Sequence, residues 1–326
     1  TFFGWWFIES IATNTGNTVD FGDLATATQN SSCSSSSTRA VLNGGYAGGA
    51  VSTLTFITMA SQGNSIDFGD KTEASDSCGG TSNSVRAITA GGGTSTVIDF
   101  YNISSGGTAL DFGDLTTGRA TPNATSNAHG GLNDGYQGTR FANSPTGGPV
   151  PRGVGTGNIG IFSGGLTSSP GLAAVTSMEY INIASTGNGN EFGTLVSAHN
   201  QGSGCGGSTR GFSFGGEDSP HTNAIEYFDF QTKGNGADFG DLTAAKRGVA
   251  GASNETRGLS FGGRTDPSDS NVIEYWTIAS IGNATDFGDI NEGTINSSAA
   301  TAGQTRAVKF GGRRGGSSSD DMEYIT

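Results

Sequence analysis

Basic side chains are scarce in this chain: 16 Lys and Arg, four of them Lys, face 29 Asp and Glu, for a net charge of −13. A phosphate backbone is held by clustered cations, so this balance excludes nucleic acid as a partner. Histidine and cysteine number three each. His129, His199 and His221 show no His-x-x-x-His spacing and no Ser-His-Asp order, and Cys33, Cys78 and Cys205 lack His or further Cys at close spacing. Hence no metal site, no cofactor and no catalytic residue is expected. An odd number of thiols in separate repeats also forms no disulfide framework. The longest apolar run, Phe2-Phe3-Gly4-Trp5-Trp6-Phe7-Ile8, is far too short to cross a bilayer and lacks the basic start and small-residue exit of a signal peptide. No membrane span is expected. The chain opens on Thr1, which leaves room for an upstream anchor or targeting segment.

Glycine is abundant instead, with 57 residues, and only 14% of residues are charged. Disordered chains often look like this, but here the glycines recur at fixed places beside β-branched and aromatic residues. One short phrase appears six times: Asp20-Phe21-Gly22-Asp23, Asp67-Phe68-Gly69-Asp70, Asp111-Phe112-Gly113-Asp114, Glu191-Phe192-Gly193-Thr194, Asp238-Phe239-Gly240-Asp241 and Asp286-Phe287-Gly288-Asp289. The phenylalanines are 47, 44, 80, 47 and 48 residues apart, a period that fits a four-stranded blade better than a helical or leucine-rich unit.

Within a repeat, four strand-like pieces follow one another. In the fifth interval a small-residue stretch, Ala250 to Asn254, precedes Arg257 to Gly263, then Asn271 to Ala279, then the Asp286 phrase. These pieces are expected to be strands a, b, c and d. Strand b ends on Gly-Gly in every copy, for example Gly262-Gly263. Arg39, Arg86, Arg210, Arg257 and Arg306 stand five residues before that pair, whereas the third copy has Ile159. The same copy ends its phrase on Thr194, so the Arg and the second Asp are expected to pair within one blade. The phrase itself is read as structural, with Phe in the core and Asp capping the turn. Cys33, Cys78 and Cys205 fall on strand a, where blades crowd an axis, and are expected to be small buried thiols. The 80-residue interval carries extra residues at about 118–157, with Pro122, Pro145, Pro149 and Pro151, and reads as a long inserted loop. A seventh, degenerate blade in that interval is the alternative.

This layout resembles kelch-type β-propellers, with Tyr180, Tyr227, Tyr275 and Tyr324 in the Tyr place of strand c; Phe of the phrase stands where kelch repeats carry Trp. The implied fold is one all-β domain over 1–326, a propeller of six four-stranded blades or of seven. Six b strands and a final c-like strand, Met322 to Thr326, leave the N-terminal Asp20 phrase to close the ring. Residues Ile273 to Ile290, and after them Met178 to Leu195 and Ile225 to Leu242, resemble repeats of virion structural and tail-fibre-like proteins of phages that infect aquatic bacteria, cyanobacteria in particular. That resemblance implies a non-enzymatic propeller on the virion surface, serving host attachment or assembly. Its partners would be host glycans or other virion proteins, and a homo-oligomer stays open. Candidate contacts are His129, Asn133, Asp134, Tyr136 and Arg140 of the inserted loop, because such side chains suit sugar hydroxyls. Trp5 and Trp6 are read as an interface. A bacterial surface or secreted adhesin of the same fold, and a propeller enzyme with an unrecognised site, are the alternatives.

Overall fold

A computed structural model describes residues 15–128, 157–167, 172–217, 220–293, 295–303 and 306–326. Among them the structure is all-β with no helix. Its strands form six four-stranded antiparallel sheets in a propeller-like arrangement, with one small three-stranded ribbon besides. The first sheet runs Ser32–Ser35, Arg39–Tyr46, Ala50–Thr58 and Ile66–Asp70, strands a to d, each paired with the next. Sheets two to five repeat that order over residues 79–114, 123–194, 203–241 and 250–289. In the sixth, Ala299–Ala302, Ala307–Arg314 and Ser317–Ile325 are strands a to c, and Val19–Thr28 takes the place of d. Val19 lies opposite Tyr324 and Asp20 opposite Glu323.

Each sheet is covered on both faces, and strand c shows it. In Val272–Thr277, Ile273 packs with Ala307 and Ile325 of the sixth sheet, while Trp276 packs with Phe212 and Phe214 of the fourth. The buried apolar residues accordingly fall into six clusters, each joining two sheets in chain order, with the last joining the sixth to the first. The repeat phenylalanines sit in these clusters at 0 to 6% exposure. Each meets the aromatic residue of its own strand c edge-on, from Phe21–Tyr324 to Tyr275–Phe287, with centroids 5.8–6.2 Å apart. Such a pair adds about 0.5–1.5 kcal/mol beyond its buried area. The diglycine ends strand b with two positive φ angles, 47–71° and then 91–116°, a sequence that only glycine adopts without strain.

The interruption expected at 118–157 begins inside the fold. Arg119–Ala120 is a strand of the small ribbon, and Asn123–Ser126 is strand a of the third sheet, paired with Ile159–Ser163. Arg119 is 1% exposed; a buried cation with a partner is a frame residue. Residues 129–156 lie between strands a and b of this sheet and outside the described residues.

Candidate functional site

The recurrent arginines join one sheet to the next. Arg39, Arg86, Arg210, Arg257 and Arg306 lie over the strand c rings of Phe56, Phe100, Tyr227, Tyr275 and Tyr324, 4.3–4.9 Å from the centroids. Arg39 donates to the carbonyls of Ile103 and Ser104, Arg86 to Ile183 and Ala184, Arg210 to Ile278 and Ala279, and Arg306 to Met59. Each acceptor lies one or two residues past the end of strand c of the following sheet. The expected Arg–Asp pairing is thereby corrected, and its physical reason is that strand c lies between strands b and d of the same sheet. In the third sheet, where Ile159 replaces Arg, Lys233 of the fourth sheet supplies the cation: its Nζ is 3.9 Å from the Tyr180 centroid and donates to the Tyr180 hydroxyl at 2.6 Å.

The six-fold phrase is a latch between sheets. Oδ1 of Asp20, Asp111 and Asp286 accepts the N–H of the glycine two residues on, which caps the turn as expected. That glycine has φ between 138° and 159° in every copy. A Cβ on it would fall 2.2–2.7 Å from the backbone of a second glycine: Gly22 onto Gly63, Gly69 onto Gly107, Gly113 onto Gly187, Gly193 onto Gly234, Gly240 onto Gly282 and Gly288 onto Gly16. At the same places the phrase carbonyls accept two backbone bonds, as in Gly63 N–H to Phe21 and Ser65 N–H to Asp23, and this pair of bonds recurs at all six junctions.

A third set of junction residues escaped the sequence reading. Asp99, Glu179, Glu226, Glu274 and Glu323 occupy one place on strand c and are 0 to 3% exposed. Each accepts a backbone N–H from the segment that leaves the preceding sheet: Thr72, Thr116, Val196, Thr243 and Glu292 respectively. Arg119 pairs with Glu179, Lys246 with Glu274 at 2.9 Å, and Lys309 with Glu323 at 3.9 Å. Burial lowers Lys309 to about 8 and raises Glu323 above the ordinary carboxyl value. The signal was present, since an acid follows the same Ile in Ile98-Asp99, Ile225-Glu226 and Ile273-Glu274.

His129, Asn133, Asp134, Tyr136 and Arg140 lie outside the described residues, as do Trp5 and Trp6. His199 is buried between Asn123 and Ser213, with Nε2 at 3.1 and 2.9 Å. His221 Nε2 is 2.6 Å from Asp266. Cys33 and Cys205 line an axial cavity on strands a, Cys78 is buried beside it, and all three are free thiols. Burial pushes the Cys33 and Cys205 thiols well above their ordinary values, so neither is a ready nucleophile. Among the described residues no three His, Cys, Asp or Glu side chains gather as metal ligands.

Strands a of all six sheets surround that axial cavity, which admits only small side chains such as Gly80, Ala124, Gly204, Gly251 and Ala300. At the end where strands a begin, one residue per sheet is left-handed: Asn30, Ser77, Thr121, Gln201, Gly248 and Ser297, with φ of 50–62°. Five of the six steps round this ring are backbone hydrogen bonds: Asn30 to Ser297, Ser77 to Asn30, Thr121 to Ser77, Gly248 to Gln201 and Ser297 to Gly248. A non-glycine residue held left-handed costs on the order of 1 kcal/mol, and the ring of bonds offsets that strain. Over the ring opens a mouth of about 310 Å³. Arg247, Arg264 and Arg313 line it; Arg247 pairs with Glu217 at 2.7 Å, and Arg264 with Asp266 at 2.5 Å and Asp269 at 3.3 Å. The Arg264 hydrogen bond holds the Asp266 carboxyl below its ordinary value. No protein-family model matches the chain, and no curated protein is similar to it.

Proposed function

We propose that the chain is a six-bladed β-propeller, closed by its N- and C-terminal strands, that serves as a non-enzymatic binding module on a virion surface. It would attach to host glycans or assemble with other virion proteins. The observation that carries this reading is the cyclic order of contacts: apolar clusters, glycine latches and neighbouring strands a each run from sheet to sheet and return to the first. Such a ring leaves no free inner edge and is a rigid mount for segments that differ between repeats. The recurrent Phe, Gly, Arg and buried acids hold the frame. The segment 129–156 and the axial mouth are what the repeat does not dictate. The virion setting rests on the phrase from Ile273 to Ile290.

The test is binding of the purified chain to cells and extracted envelope polysaccharides of aquatic bacterial hosts, beside a variant whose residues 129–156 are replaced by a short Gly-Ser linker. Binding by the parent and loss in the variant supports attachment through the insertion. Binding by neither shifts the role to virion assembly, and cleavage of a polysaccharide by the parent overturns the non-enzymatic reading.

A further inference from the structure

We infer that the mouth at the end where strands a begin is a binding site for one anionic sugar unit, its acid group on the Arg247–Arg264–Arg313 arc and its hydroxyls on the neutral arc. The inference rests on the binding-module reading and moves the site from the insertion to the mouth. Strand a of the third sheet begins at Asn123, close to Pro122 and Thr121 at the mouth, and the described chain continues from its far end only to Ala128.

The charged residues lining the mouth are three arginines from consecutive sheets: Arg247 after the fourth, Arg264 after strand b of the fifth, Arg313 on strand b of the sixth. Arg247 is held by Glu217 and Arg264 by Asp266 and Asp269, which leaves Arg313 as the cation open to a ligand. Gln29, Ser77 and Thr121 line the facing arc and carry only amide and hydroxyl groups. Arg313 is exposed and has no side-chain partner among the described residues, so its guanidinium is available for a bidentate bond to a carboxylate or sulfate. Gln29 Oε1, Thr121 Oγ1 and Arg247 Nε are buried polar atoms without a hydrogen-bond partner, and all three residues line this mouth. The volume of about 310 Å³ is at the small end of the range of ligand sites, which suits a single sugar unit. A long polyanion is disfavoured by the net charge of −13, whereas one acid group inside the mouth meets the arginines at contact distance, where screening is weakest.

Calorimetric titration of the full chain with a galacturonic acid trisaccharide, a sulfated galactose trisaccharide and a neutral galactose trisaccharide tests this and separates the two acid groups. Saturable binding of either anionic probe, weakening with added NaCl, is expected, and the neutral probe binds at least tenfold more weakly. Arg313→Gln removes an exposed, unpaired group, keeps the parent's melting temperature, and loses about tenfold in affinity for the anionic probe. The variant lacking 129–156 binds the trisaccharide like the parent. Failure of both anionic probes to bind, or equal binding by Arg313→Gln, overturns the inference. Because no cells are involved, loss of cell attachment with trisaccharide binding intact sinks only the attachment reading.

Discussion

The buried pair Lys246–Glu274 is the sharpest probe of how the sheets are joined. Its side chains are 1% and 0% exposed and 2.9 Å apart, and Glu274 also accepts the Thr243 N–H at 3.0 Å and its hydroxyl. Lys246→Met fills much the same volume but leaves a carboxylate in a site without water. Breaking a buried pair from one side costs about 3–5 kcal/mol. Adding Glu274→Gln removes the stranded charge and keeps an acceptor for Thr243, so the double variant should lie within about 1–2 kcal/mol of the parent. The chain already contains an uncharged junction of this kind: Thr28 stands in the place of Lys246 and Thr55 in the place of Glu274 where the sixth sheet meets the first. Thermal unfolding followed by circular dichroism reads the difference. At about 2 °C per kcal/mol for a chain of this size, Lys246→Met should melt about 6–10 °C below the parent. Urea midpoints give the coupling energy, expected near 2–3 kcal/mol. A single variant within about 1 kcal/mol of the parent, or additive singles, would refute the claim that this pair acts as one unit at the junction.

Other junctions give independent tests. Gly240→Ala forces a Cβ to 2.5 Å from the Gly282 carbonyl at φ 150° and should cost about 2–5 kcal/mol, whereas Gly282→Ala, with open space around its Cβ, should be near neutral; equal denaturant midpoints would dismiss the latch. Lys233→Ala should cost about 0.5–1 kcal/mol through the lost Tyr180 contact, and Ile159→Arg in that background should restore it by copying the other sheets. Lys309 is lowered by burial to about 8 from an ordinary 10.5, so between those pH values the unfolded chain binds more protons and stability rises with pH. Relative to Lys309→Met, the parent should gain on the order of 2 kcal/mol from pH 7 to 10, and a flat difference would show that burial does not lower Lys309 below its ordinary value.

The order of strands, the Phe phrase and the diglycine were legible because each serves a need inside one repeat: a turn, an edge-on ring pair, a left-handed step. Contacts between repeats were misread, because their partners sit in different copies, 27 residues apart for Thr72 and Asp99 and 98 for Arg86 and Ala184, and comparison within a copy does not see them. Ile159 and Thr194 are both exceptions in the third copy, and the sequence tied them to one lost pair. In the structure they are separate. Lys233 of the next sheet covers Tyr180 for Ile159, and Thr194 still holds its latch, its N–H on Asn235 and its carbonyl taking Gly236. The acids of strand c were passed over for a related reason. In an antiparallel sheet with one wet face, Glu274 between Ile273 and Tyr275 reads as the solvent side of an alternation. Here both faces are covered, and the polar side of strand c meets a backbone N–H from the preceding sheet.

The same logic says where a binding function can sit. Six like units arranged cyclically would produce an axial mouth with six like residues if the frame dictated them. It dictates the left-handed step and the diglycine, which recur in all six sheets, and a backbone ring hydrogen-bonded at five of its six steps. The residue just after the diglycine keeps a backbone pairing in five of the sheets, but its side chain is of five kinds: Tyr46, Gly93, Leu166, Glu217, Arg264 and Arg313. A side chain that varies from aromatic to cationic is not set by the frame, and in the fifth and sixth sheets it is an arginine lining the mouth. Arg264 and Arg313 stand on neighbouring sheets with Arg247 close by, in a chain that has only 16 basic residues and buries four of them, Lys71, Arg119, Lys246 and Lys309, almost completely. Scarce cations gathered at this mouth are placed by something other than the repeat.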